Sequence, residues 1–221
     1  MDYFLNQILP LILQSTAQTL LMTLFSTFFA LLVGFPLGVL LNTTGKFGIT
    51  PKPVFNQILS RIVDILRSFP FVILMIALIP FTRLILGSAI GTAATIIPLA
   101  IAAMPFIARL TESSLSEVDP GMIQAARAMG STNWQIIHKV LIPEALPSIV
   151  SGITLTIITL IGYTAMAGTL GGGGLGDLAY RYGYQRFMTS VMIGAVIVII
   201  LIVALIQFIG SKISSAMMSK R

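Results

Sequence analysis

The chain has 221 residues, of which 56% are hydrophobic and 9% charged, and it contains no cysteine. Soluble domains carry about 25% charged residues, so too few polar residues remain here to cover a water-exposed surface. This excludes a soluble enzyme, a disordered chain and a conventional nucleic-acid-binding domain and leaves an integral membrane protein; the missing cysteines exclude disulfides, thiolate catalysis and Cys-based metal sites. The net charge of +6 comes from 13 Lys/Arg scattered singly apart from Lys220-Arg221, an excess that in a membrane protein marks cytoplasmic loops.

The chain begins Met1-Asp2, without the basic segment of a cleavable signal peptide, and carries no charge from residue 3 to residue 45. A spanning helix needs about 20 apolar residues, and the first is expected at 17–41. The shorter apolar piece at 5–13, interrupted by Pro10, is either an interfacial lead-in or an extension of that helix; residues 1–16 are assigned to an external lead-in. The second span is expected at 58–80. Its first part carries Arg61, Asp64 and Arg67 at i, i+3 and i+6, one face on which they can pair at the membrane edge. The remaining spans are expected at 84–108, 149–170 and 187–211. Together they make an all-α integral membrane domain of five transmembrane helices over 17–212, followed by a cytoplasmic tail over 213–221. Five spans place the termini on opposite sides. With the C-terminus inside, ten Lys/Arg are cytoplasmic and three (Arg83, Arg181, Arg186) external, which selects an external N-terminus.

The largest polar segment, 111–147, reads as a folded elbow over 119–143. Asp119 is a good N-cap and Pro120 suits the first helical position. A short helix follows to Met129, and Gly130 sits where a helix ends in a left-handed residue. Ser131 or Thr132 can cap the next helix, which Pro143 is expected to end. From Arg109 to Glu144 there are three Lys/Arg against four Asp/Glu, whereas helices that lie on lipid are rich in Lys/Arg on one face. A lipid-lying hairpin and a docking surface for a cytoplasmic protein are the two readings. Ala125, Ala126 and Ala128 beside Gly130 allow the close backbone approach that docking needs.

Gln124-Ala125-Ala126, then Gly130 after three residues, then Val140-Leu141-Ile142-Pro143 after nine more, resembles the EAA motif of ABC importer permeases. Ala125, Ala126, Gly130 and Pro143 keep the motif; Gln124 replaces its Glu, and Val140 and Ile142 also depart from it. Asp64-Ile65-Leu66-Arg67-Ser68-Phe69-Pro70 resembles the start of the second span in amino-acid-type importers, and the stretch 171–187 closely resembles the permeases of bacterial methionine importers. The resemblance implies a type I ABC importer permease fold. It also implies that Gln124, Ala125, Ala126, Gly130, Val140, Ile142 and Pro143 belong to a coupling helix that inserts into an ATP-hydrolysing subunit. The expected function is transport of methionine, D- and/or L-, across the bacterial inner membrane. The alternatives are another small polar solute, or a secondary transporter, whose spans typically carry ionisable residues. The expected assembly is a permease homodimer with two cytoplasmic ATP-binding subunits and an external substrate-binding lipoprotein. The chain itself is not expected to be an enzyme: it has no Walker motif, and ATP and Mg²⁺ belong to the partner.

Other motifs carry less. Gly171-x-Gly173-x-x-Gly176 fits a dinucleotide fingerprint by letters but follows a span instead of a strand, and reads as a tight external turn or a surface for a delivery protein. Gly34/Gly38, Gly87/Gly91 and Gly168/Gly172 fit the close-packing pattern of membrane helices. His138 is the only histidine and reads as a loop residue. Thr154, Thr156, Thr159 and Thr164 are expected to offer hydroxyls along the solute pathway. Met166, near the outer end of the fourth span among small residues, is either ordinary packing or a pore gate formed by a symmetric pair of flexible thioethers.

Overall fold

The structure, a computed structural model, describes residues 8–219; residues 1–7 of the expected lead-in and the basic pair Lys220 and Arg221 lie outside the described residues. Its order is α1 (Leu9–Thr44), α2 (Pro53–Ser68), α3 (Phe71–Ala77), α4 (Ile79–Leu86), α5 (Thr92–Ser116), α6 (Pro120–Ala128), α7 (Asn133–Ile136), α8 (Ile142–Thr169), α9 (Gly174–Leu178) and α10 (Thr189–Met218). Short π-helical turns at Ile137–Leu141 and Ala179–Tyr184 join α7 to α8 and extend α9. Among the described residues, four continuous helical stretches are long and apolar enough to cross a membrane: Leu9–Thr44, Thr92–Ser116, Asn133–Thr169 and Thr189–Met218.

α1 and α5 form the spine. Ser26 donates to the Ile96 carbonyl at 3.2 Å, Gly34 abuts the Met104 carbonyl, Gly38 abuts the Ala108 carbonyl, and Asn42 reaches the Glu112 carbonyl at 3.5 Å. Each pair is 70 residues apart, so the two helices run parallel and in register. A Cβ at Gly34 would lie 2.6 Å from the Met104 oxygen; the glycine pair is what lets the backbones touch. Parallel packing has a topological consequence. The chain leaves α1 at one end of the bundle and must return to the other end before α5 begins, and α2–α4 are that return path.

That path differs from the single rod expected at 58–80. Phe69 is extended, at ψ 125°, because it precedes Pro70, and α3 gives way to α4 at Leu78 ahead of Pro80. α4 then stops at Gly87 in the left-handed region (φ 74°), so the third span starts at Thr92 rather than 84. It runs on to Ser116 rather than 108. Gly87 and Gly91 therefore shape a turn; a Cβ at either would meet nothing within 4 Å. Arg61, Asp64 and Arg67 do not pair among themselves. Asp64 pairs with Arg109 at 2.7 Å, and Arg67 lies over the Phe106 ring at 5.3 Å.

At the start of the chain, Pro10 lies in the first turn of α1, where the missing N–H costs no hydrogen bond. Residues 9–16 thus extend the first helix. At the far end, α10 reaches Met218, so most of the expected tail is helical. α10 packs antiparallel to α8, with the buried Ser214 hydroxyl donating to the Pro147 carbonyl at 3.0 Å and Gly210 lying against Thr154. One core cluster joins Met22, Leu99, Ile107 and Leu160 inside the bundle. A second joins Leu115, Ala126, Ile136 and Leu141 under the elbow.

Candidate functional site

The elbow is built by its caps. The Asp119 carboxylate accepts from the Gly121 N–H at 2.7 Å at the head of α6. Gly130 is left-handed, at φ 80°, with its N–H on the Arg127 carbonyl at 2.9 Å, while the Ser131 N–H reaches the Ala126 carbonyl at 3.1 Å. This pair of bonds is the Schellman termination. Thr132, not Ser131, caps α7. Its hydroxyl accepts from the Gln135 N–H at 3.3 Å and its own N–H donates to the Gln135 side chain at 2.8 Å.

Pro143 does not end that helix. The π-helical turn Ile137–Leu141 lies immediately before it, and Pro143 falls in the first turn of α8. A proline lacks an N–H and its ring crowds the carbonyl one turn back; a wider turn accommodates both defects and lets the elbow run into the membrane helix without a break.

The expected coupling residues divide between two faces. Ala126 is buried, and Val140 and Ile142 pack half-buried on the same cluster as Leu115 and Leu141. These three seat the elbow on the bundle. Gln124, Ala125, Gly130 and Pro143 are exposed. Arg127 ties the elbow to the α1–α2 turn by donating to the Ile49 carbonyl at 3.0 Å. Beside the exposed motif residues stand Met129, 80% exposed, and Trp134, 69% exposed, with Met122 also open. The motif spacing does not include these apolar residues; the one sequence signal for them was a tryptophan inside a polar loop. The His138 ring packs on Trp134 at 3.8 Å between centroids.

α8 keeps one open stripe along its length: Ser151, Leu155, Thr159, Gly162, Met166 and Thr169 are exposed at helical spacing. Met166 is 48% exposed on it. Of the four expected pathway threonines only Thr159 lies on this stripe. Thr154, Thr156 and Thr164 are buried and donate to the carbonyls of Val150, Gly152 and Ile161 in their own helix, at 2.8, 3.0 and 2.7 Å. Burial takes these three hydroxyls off any solute path, whereas Thr159, which also donates to its own helix, at the Leu155 carbonyl (2.9 Å), stays exposed. A cavity of about 50 Å³ opens beside the stripe between Phe106, Thr159 and Tyr163.

The glycine-rich segment is a tight turn. Gly171, Gly173 and Gly174 all have φ between 80° and 84°. The Gly174 N–H donates to Gln18 at 2.8 Å and the Leu175 N–H to Thr19 at 2.9 Å. These bonds fasten α9 against the first half of α1. Beyond it, Asp177 is buried and ion-paired with Arg181.

Known proteins share this arrangement. The chain is 50% identical over 203 residues to the probable D-methionine transport system permease protein MetI of Vibrio cholerae, covering 92% of this chain and 90% of that protein. It is also 50% identical over 200 residues to the protein of the same name from Pasteurella multocida, covering 90% and 92%. A solved structure of the MetNI methionine ABC transporter in inward-facing conformations contains a chain that superposes with a TM-score of 0.94. That chain is 45% identical, with 96% of this chain and 98% of that one covered. An amino acid ABC transporter at 21% identity shares the fold, with a TM-score of 0.71 over 96% of this chain and 94% of that one. The helical architecture is thus the type I ABC permease fold. Residues 34–217 match the family of binding-protein-dependent transport system inner membrane components, and the chain belongs to that family.

Proposed function

We propose that this chain is the permease subunit of an ATP-driven importer that carries methionine, D-, L- or both, across the bacterial inner membrane. The observation that carries the reading is 50% identity along 92% of the chain to a D-methionine permease. Two copies form the pathway, two cytoplasmic ATP-binding subunits dock on the elbows, and an external lipoprotein delivers the solute. ATP and Mg²⁺ are held by the partner, and this chain binds no cofactor. The N-terminus faces outward and the C-terminus inward, as the distribution of Lys and Arg favours.

The elbow geometry supports the coupling role. Gln124, Ala125 and Gly130 offer an open face with little side-chain bulk, and Ala126, Val140 and Ile142 transmit a push on that face into the bundle. Pro143 sits where the push enters α8. Closure of the ATP-binding subunits draws the two elbows together and opens the bundle outward; hydrolysis reverses the movement. The open stripe of α8 supports a pathway position for Met166, where two thioethers meet across the pair and close the outer mouth. No cation lies on that stripe to hold the carboxylate of an amino acid, so selectivity rests mostly with the external binding protein.

Growth of a methionine auxotroph that lacks its own high-affinity importer tests the reading. The complete operon is expected to restore growth on low methionine. Restored uptake of a different solute, with methionine uptake at background, overturns the substrate and leaves the permease.

A further inference from the structure

A cavity of about 430 Å³ lies between the α1–α2 turn and α6, a volume typical of sites that hold a ligand or an inserted side chain. Leu41, Ile49 and Leu115, all buried, supply apolar lining, and Lys46, Gln124 and Arg127 supply polar groups. Its available charge is positive. The Glu112 carboxylate is held by Arg109 at 2.6 Å. Arg127 gives one nitrogen to the Ile49 carbonyl. The Lys46 ammonium lies 5.5 Å from the Phe47 ring centroid, a contact that leaves its N–H donors open.

The turn that forms one wall is pinned by hydrogen bonds. Thr50 and Lys52 donate their N–H groups to the Thr43 and Thr44 carbonyls, each at 2.9 Å, and the Asn56 side chain donates to the Leu41 carbonyl at 2.7 Å. Gly48 folds back directly over the Thr43 carbonyl, where a side chain would collide. This pinned turn holds Phe47 94% exposed. Aromatic rings presented on a fixed backbone are the residues that anchor protein interfaces. The elbow is continuous with this wall: Gln124 and Arg127, one helical turn apart on α6, line the same cavity.

We propose that the α1–α2 turn is a second seat for the ATP-binding subunit, which places an acidic side chain flanked by apolar residues into this cavity and packs against Phe47. The inference rests on the reading that the elbow meets that subunit. It adds that α1, and not α8 alone, receives the push. With its register-locked partner α5, α1 then moves as the driven half of the bundle.

The test uses the full permease with its ATP-binding subunit. A photo-crosslinking aromatic replacing Phe47 is expected to link to that subunit in native membranes. Phe47→Glu and Lys46→Glu are expected to weaken subunit association in detergent by about tenfold or more, with permease yield unchanged, while Phe47→Tyr and Lys46→Arg keep it. Crosslinking to lipid or to nothing, with Phe47→Glu still binding normally, overturns the second seat. Gly130→Val run in parallel separates the two ideas. If it weakens association and Phe47→Glu does not, the second seat fails and the elbow stands. If it leaves association and coupled hydrolysis untouched, the elbow reading fails.

Discussion

Asp64 on α2 and Arg109 on α5 form an ion pair at 2.7 Å, clamping the return segment to the spine. The same guanidinium reaches Glu112 at 2.6 Å and the Ser60 carbonyl at 2.9 Å. Arg109 is therefore a hub, while Asp64 is one spoke and more than half exposed. Asp64→Asn should lower stability by about 0–1 kcal/mol, as exposed pairs do. Arg109→Ala should cost more, because it also leaves the partly buried Glu112 carboxylate without its partner. Thermal unfolding of the purified permease reads the order, and an equal loss for the two variants would remove the hub.

Gly130→Val should insert in the membrane yet uncouple transport from hydrolysis. A left-handed position costs a residue with a Cβ about 1–2 kcal/mol, and the added bulk falls on the open face of the elbow. Gly130→Asn, which tolerates the left-handed region, should retain most activity. ATP hydrolysis and methionine uptake measured together in proteoliposomes decide the matter; full coupling in the valine variant argues against the elbow.

Gly34→Leu should collapse the yield of folded permease. Its Cβ would lie 2.6 Å from the Met104 carbonyl oxygen, and overpacking of this kind costs about 1–3 kcal/mol or more. Gly162→Ala is the matched control, since a Cβ there meets nothing within 4 Å. Size-exclusion profiles after membrane extraction compare the two.

Met166→Ala should raise passive efflux of labelled methionine from proteoliposomes without ATP by about an order of magnitude, the equivalent of about 1.4 kcal/mol taken off a barrier. An unchanged leak assigns Met166 to packing alone.

Because the chain has no cysteine, single cysteines report topology cleanly. A cysteine replacing Tyr184, which is 64% exposed, should react with an impermeant thiol reagent added to intact cells, and one replacing Met129 should not. The reverse pattern inverts the orientation.

Composition exposed the membrane class because a shortage of charge is global and survives ignorance of the fold. The elbow is legible for a local reason: Asp119, Thr132 and Gly130 act on backbone groups two to five residues away, so their roles are written beside them. What sequence reasoning missed depends on distant partners. Nothing near Asp64 announces Arg109, 45 residues on. The threonines of α8 read as pathway hydroxyls, yet all four donate to carbonyls of their own helix and three of them are buried. Pro143 reads as a stop because proline usually is one, and the π-helical turn that absorbs it has no sequence mark. Proline did break the chain elsewhere, at Phe69-Pro70 and before Pro80, and there one expected span became three pieces.

The unbroken passage from elbow to membrane helix converts a small angle into a long stroke. From Ile142 to Met166 the axis measures about 36 Å at 1.5 Å per residue. A tilt of about 10° delivered at the elbow end therefore sweeps the Met166 end sideways by about 6 Å, more than the width of a methyl thioether. A helix that stopped at Pro143 would dissipate the same angle in a hinge. If the elbow receives the push proposed above, helix continuity through Pro143 is what carries that tilt into α8, and the stroke at the far end grows with the length of helix beyond the elbow.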